Sequence, residues 1–213
     1  MPQSIAGLTI PTSAMSIAAR ELVSSAETEL LFNHSNRVFA FGALSGVRHA
    51  IEVDSDLLYV SAMFHRVGLT EKHRGSQERF EIDSANAARH FLRSYGVSND
   101  DIQEVWDAIA LHTTPGIAKH KSPLVALLTR GVEADTIGLH LEDFSAEQKQ
   151  QVLGAYRREE HFKEKIIEAL GLGMQHRPET TFGTVNADIL DRVDPKYRRR
   201  NFCGLILGSV WAD

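Results

Sequence analysis

Apolar residues recur three and four positions apart along almost the whole chain, and alternation with a period of two never lasts long enough to build a sheet. A chain patterned in this way buries one stripe of each helix against other helices, so the expected class is all-α, a single-domain helical bundle. A first helix is expected after "IPTS", with Thr12 or Ser13 as N-cap, running to about Glu27. A second spans about Glu29 to Leu44 and carries His34, Val38 and Phe41 on one face. The third opens at "DSD", whose carboxylates suit a helix N-terminus, and aligns Leu58, Ala62 and His65 before Gly68 ends it. "EKHRGSQERFE" reads as a polar loop. Helices then follow from Asp83 to Tyr95 and from about Ser98 to His112, the latter with Val105, Ile109 and His112 on one face. "TTPGIAKHKSP" is a connection punctuated by Pro115, Gly116 and Pro123, long enough to cover a site. From Ser122 a sixth helix places Val125, Leu128, Val132 and Asp135 on one stripe, and further helices are expected near 145–156, 159–170, 182–192 and 201–209.

With 213 residues, 43% of them hydrophobic, the chain supports one buried core, and no Gly-rich or Ser-rich linker divides it, so residues 1–213 are expected to fold together. The net charge of -5 and the scattered basic residues argue against a nucleic-acid partner. "KYRRR", Lys196 to Arg200, reads as a solvated basic turn between two helices. The lone Cys203 excludes an internal disulfide and a cysteine metal knuckle. No basic segment leads into an apolar run, and no stretch approaches the roughly 20 apolar residues of a membrane span, so a soluble, cytoplasmic protein is expected. Gly-rich phosphate loops, Gly-x-Ser-x-Gly elbows and dinucleotide fingerprints are all missing.

Four polar residues lie on otherwise apolar helix stripes: His34, His65, His112 and Asp135. Each alone is more often a core group satisfied by one hydrogen bond. Four on four helices of one bundle have the composition of a site, and imidazole with carboxylate suits a first-row transition metal where no thiolate is at hand. Glu81 and Asp83 precede the fourth helix, where an ordinary N-terminal carboxylate is the simpler assignment for Asp83. His90 is expected on a helix surface, and His49, His73, His120, His140, His161 and His176 in solvent. Trp106 and Phe64 are expected to pack in the core, and Phe80 to line a pocket mouth.

"LFNHSNRVF", "LLYVSAMFHRVGLTE", "RFEIDSANAARHFL", "VWDAIALHTTPGIAKHKSP" and "VALLTRGVEADTIG" together resemble the HD-domain superfamily, and within it the cyanamide hydratase branch, over about residues 25–210. The resemblance implies an HD-type helical bundle holding a divalent metal, zinc ahead of iron, on His34, His65 and Asp135. It also implies that the Glu81 segment reaches the pocket. The aspartate of the family's His-Asp doublet falls on Arg66, which puts a permanent cation where an anionic ligand belongs.

Three functions follow. The first is a lyase or hydrolase in which a metal-activated water adds to a nitrile-like or related small substrate, with His112 or Thr113 orienting it. The second is a metal-free lyase, isomerase or cyclase in which Arg66 anchors an anion and a histidine moves a proton. The third is a binding protein without catalysis, or a hydratase silenced at this one position. In each the partner is a small molecule, while the oligomeric state is not readable.

Overall fold

A computed structural model describes residues 4–211. The chain opens with a short antiparallel hairpin, β1 (Ser4–Ile5) and β2 (Leu8–Thr9), turned through Ala6 and Gly7, both with positive φ. Among the described residues ten α-helices follow: α1 (Ala14–Ala26), α2 (Glu29–His49), α3 (Ser55–Phe64), α4 (Phe80–Ser94), α5 (Asn99–Leu111), α6 (Pro123–Ile137), α7 (Ala146–Ala155), α8 (Phe162–Met174), α9 (Asn186–Val193) and α10 (Phe202–Leu207). The all-α class holds, and local chemistry sets many of the starts. Ser13, Thr28, Asp54, Ser98 and Ser145 each accept a backbone N–H from the first turn of the helix they precede, and Pro123 opens α6.

Helix α8 runs to Met174, past the expected end at about residue 170, and α9 starts at Asn186, after the expected start at about 182; three further boundaries differ, each for a physical reason. Helix α2 continues past Leu44 to His49, because Ser45 and Gly46 are held inside the bundle by contacts stronger than their own tendency to break a helix. Arg130 Nε donates to Ser45 Oγ at 2.7 Å, and Gly46 packs on Leu127. Helix α3 stops at Phe64 with His65 as its C-cap, and Gly68 falls in a 3-10 turn, Val67–Leu69, instead of closing the helix. Gly68 is needed there for close approach, since a side-chain carbon would collide with the Phe80 carbonyl. Helix α4 starts at Phe80, so Phe80 and Glu81 form its first turn and are not part of the preceding loop.

Helices α2 and α6 pack on each other more extensively than any other pair, and glycines permit it. A methyl at Gly131 would be driven into the Val38 carbonyl oxygen, and one at Gly42 would lie 2.8 Å from that of Leu127. Gly131→Ala is therefore expected to lower the unfolding free energy by about 1–3 kcal/mol, read as a lower urea midpoint at unchanged slope.

The main core gathers α2, α3, α5 and α6, while a second cluster joins Leu30, Leu31 and Phe80 to Phe162, Ile166, Leu170 and Met174 of α8 and Leu190 of α9. The buried Arg177 ties the two regions together. It pairs with Asp83 and donates to the carbonyls of Gly68 and of Glu78 (2.8 Å), so Asp83 is one arm of a buried ion pair and not a simple helix-start carboxylate. Phe64 is buried and Trp106 is partly buried against the main core. His90 is exposed, as are His49, His120 and His161, whereas His73, His140 and His176 are partly buried, His73 beside Asp83 and His140 beside Glu133. Among the described residues no helix is long and apolar enough to cross a membrane.

Candidate functional site

The four polar residues singled out on the helix stripes meet in the interior. His34 comes from the middle of α2, Asp135 from the last turn of α6, and His65 and His112 from the C-caps of α3 and α5. All four are buried. His34 Nδ1 lies 2.6 Å from Asp135 Oδ2, and His34 Nε2 lies 3.2 Å from His65 Nε2. His65 Nδ1 donates to the Ala62 carbonyl at 2.6 Å and His112 Nδ1 to that of Ile109 at 2.5 Å, so each ring keeps its Nε2 as a lone pair. The His65 and His112 rings meet edge to face, 5.1 Å between centroids.

Asp135 is held by a residue that sequence reasoning missed. Arg37, fully buried one turn after His34, donates Nε to Oδ1 at 2.7 Å and a terminal nitrogen to Oδ2 at 2.9 Å. Its other terminal nitrogen donates to the carbonyls of Tyr156 and Arg157 at 3.2 and 3.0 Å. Burial alone would raise the Asp135 pKa, but His34 and the Arg37 fork outweigh it and hold the carboxyl at about 2.

Arg66 is buried, with its guanidinium carbon 5.5 Å from the centre of the Phe80 ring and its Nε without a partner. Burial lowers its pKa to about 10, against the pull of the Glu81, Glu27 and Asp135 carboxyls, so it stays cationic at neutral pH. Its field and burial act together on the histidines. His34 falls to about 4 despite Asp135, His112 to about 3 despite Glu81, and His65 well below the ordinary value. Glu27, also unforeseen, has both carboxyl oxygens buried without a partner, and burial pushes it up to about 8 although Arg66 pulls the other way.

A cavity of about 420 Å³ opens above this cluster. Arg66, His112 and Thr113 form its polar end, and Val132, Ile166, Ile167, Leu170 and Ile189 its apolar wall. Lys163, Glu133 and Asn186 also line it. Two expected substrate contacts are not part of it. Phe80 is buried beneath Arg66 and makes an edge contact with His112, 5.8 Å between centroids. Glu81 is consumed by Arg79 (3.0 Å), Asn186 Nδ2 (2.9 Å) and the Thr113 hydroxyl, and the Arg79 and Thr113 contacts overcome its burial and keep it ionised with a pKa of about 2. Both were expected at the pocket because their segment was taken for a loop, and their place on the first turn of α4 turns them inward.

The implied metal set His34, His65 and Asp135 is brought together, but not as an open set of ligands. Asp135 accepts from Arg37 on both oxygens and from His34 Nδ1 on Oδ2, and a guanidinium stands at the doublet position. Among the described residues no three His, Cys, Asp or Glu side chains are arranged to hold a metal ion.

The buried neutral histidines also set the response to acid. Below pH 6.5, their ordinary value, the unfolded chain takes up protons at His34, His65 and His112 that the folded chain refuses. Stability is thus expected to fall as pH drops from about 6.5 toward 4, by up to about 1.4 kcal/mol per pH unit for each histidine, less one such contribution that Glu27, raised to about 8, returns down to its ordinary value of 4.5. Urea midpoints across this range check it, and His112→Asn should flatten the slope.

The HD-domain family model matches residues 31–193, about three quarters of the chain. No curated protein matches the chain significantly. HD-domain proteins are largely metal-dependent hydrolases and typically bind divalent metals. The match runs from the start of α2 to the end of α9 and so contains every residue of the buried cluster except Glu27. By that match, the chain belongs to the HD-domain family.

Proposed function

We propose that this protein is an HD-fold enzyme of small-molecule metabolism that works without a metal, on a compact organic anion with an apolar body. The observation that carries this reading is the polar end of the cavity. There Arg66 and His112 each keep a nitrogen without a hydrogen-bond partner, while the aspartate of the implied metal set is locked by Arg37. A guanidinium with unused donors in an apolar cavity favours a carboxylate or enolate, because the charge-assisted bond forms where little water competes. The aliphatic wall favours a hydrocarbon body over a polar one.

His112 is neutral and offers Nε2 as a proton acceptor. A bound anion would offset the Arg66 field that holds its pKa down, so substrate binding itself raises the basicity of the imidazole. Thr113, whose hydroxyl is tied to Glu81, borders the same end of the cavity. The reaction class that suits these groups is proton transfer beside an anchored carboxylate, as in a lyase, isomerase or cyclase. The test is calorimetric titration, with chelator present, of short aliphatic and aromatic monocarboxylates against their neutral amides. At least tenfold preference for the acids supports the proposal, and equal binding overturns it.

One observation favours a second reading. The lone pairs of His34 Nε2 and His65 Nε2 face each other at 3.2 Å, and a cation between them would relieve the repulsion. That is the observation for a retained metal and a hydratase-like or hydrolytic reaction, to be judged by the metal content of the purified protein.

A further inference from the structure

The segment after α9 departs from the rest of the molecule. Lys196, Arg198, Arg199 and Arg200 are exposed, and residues 201–211 that follow contain no charged side chain. Helix α10 has no buried residue and no polar face: Phe202 is 65% exposed, Leu207 87%, and beyond the helix Val210 is 99% and Trp211 86% exposed. Its anchorage is slight, a Phe202–Phe182 ring contact with centroids 6.4 Å apart and Arg200 over the same Phe182 ring.

We infer that residues 201–211 are an exchange arm by which two copies of this chain pair. A helix that is apolar all round is stable only when covered on several sides. A lipid surface does not cover it that way, because interfacial helices carry a strongly polar face, and six helical residues are far too few to enter the hydrocarbon. Area points to a protein partner. The exposed surface of the six apolar residues Phe202, Leu205, Ile206, Leu207, Val210 and Trp211 comes to roughly 800 Å², about what each partner gives to a standard interface.

Charge points to a second copy. The basic root of the arm belongs to a chain of net charge -5, so the remaining surface that a second copy presents to it is acidic on balance. Two such arms crossing at a two-fold axis form a self-complementary interface. Phe182 and Val185, both partly exposed next to the root, extend it, and Val185 also lines the cavity, so the interface borders the site.

The full chain should sediment as a dimer from sub-micromolar to tens of micromolar concentration, with Leu207→Asp/Trp211→Asp halving the solution mass while the helical circular dichroism of the folded chain is kept. Mild oxidation should join two chains through Cys203, the sole cysteine, in the wild type and not in the variant. A wild type that stays monomeric throughout this range overturns the proposal, whether or not it binds anionic vesicles or another protein. A dimer that survives the double substitution overturns it as well.

Discussion

Replacing Arg66 by methionine is expected to weaken carboxylate binding about 100-fold while making the protein more stable. The two effects have one cause. Arg66 is a buried cation with an unpaired Nε, faced by carboxyls at longer range and resting on the Phe80 ring. A guanidinium kept from water without a full set of acceptors costs folding free energy, and methionine fills a similar volume without that cost. With the anion bound, the same guanidinium makes charge-assisted hydrogen bonds worth about 1.5–3 kcal/mol, which is roughly 10- to 150-fold in affinity. Arg66→Lys should recover only part of the binding, since an ammonium lacks the planar fork. Calorimetry for the ligand and urea unfolding for stability read the two effects separately. Unchanged affinity in Arg66→Met would remove Arg66 as the anchor.

Arg37→Met is expected to have the largest effect on stability. It strips both Asp135 oxygens of their guanidinium donors and leaves an ionised carboxylate in the interior with only His34 beside it. The carbonyls of Tyr156 and Arg157, past the end of α7, lose their donor at the same time. Breaking a buried pair from one side costs about 3–5 kcal/mol, or roughly 10 °C in melting temperature for a chain of this size. Removing both partners, Arg37→Met with Asp135→Leu, should return much of that loss, because no uncompensated charge remains. Scanning calorimetry on the three proteins tests the prediction. A single variant as stable as the wild type would mean that Asp135 does not depend on Arg37.

The helical period carried much of this molecule. His34, His65, His112 and Asp135 were visible as polar residues on apolar stripes, and they converge because those stripes are what the bundle buries. Arg37 was not visible. It lies three positions after His34 on the same face, yet a long basic side chain in a helix reads as solvated until its acceptors are seen. Spacing alone did contain that signal, since a cation one turn from an interior histidine must either leave the stripe or find a buried anion. Glu27 was missed for a different reason. At the C-cap of α1 its burial depends on how α1 meets α3, which local pattern does not reveal. Phe80 and Glu81 were misplaced because the polar run before them hid a helix start whose N-cap, Arg79, makes no side-chain capping bond. The family match and the local chemistry of Arg66 thus point different ways, and only the coordination geometry arbitrates.

Elemental mass spectrometry of protein purified without chelator measures that arbitration most directly. With Asp135 locked by Arg37 and Arg66 at the doublet position, the folded wild type is expected to hold far less than one divalent metal per chain, even after zinc is supplied. Close to one zinc or iron per chain, lost on His34→Ala, would contradict the account and restore the metal-dependent chemistry typical of the family.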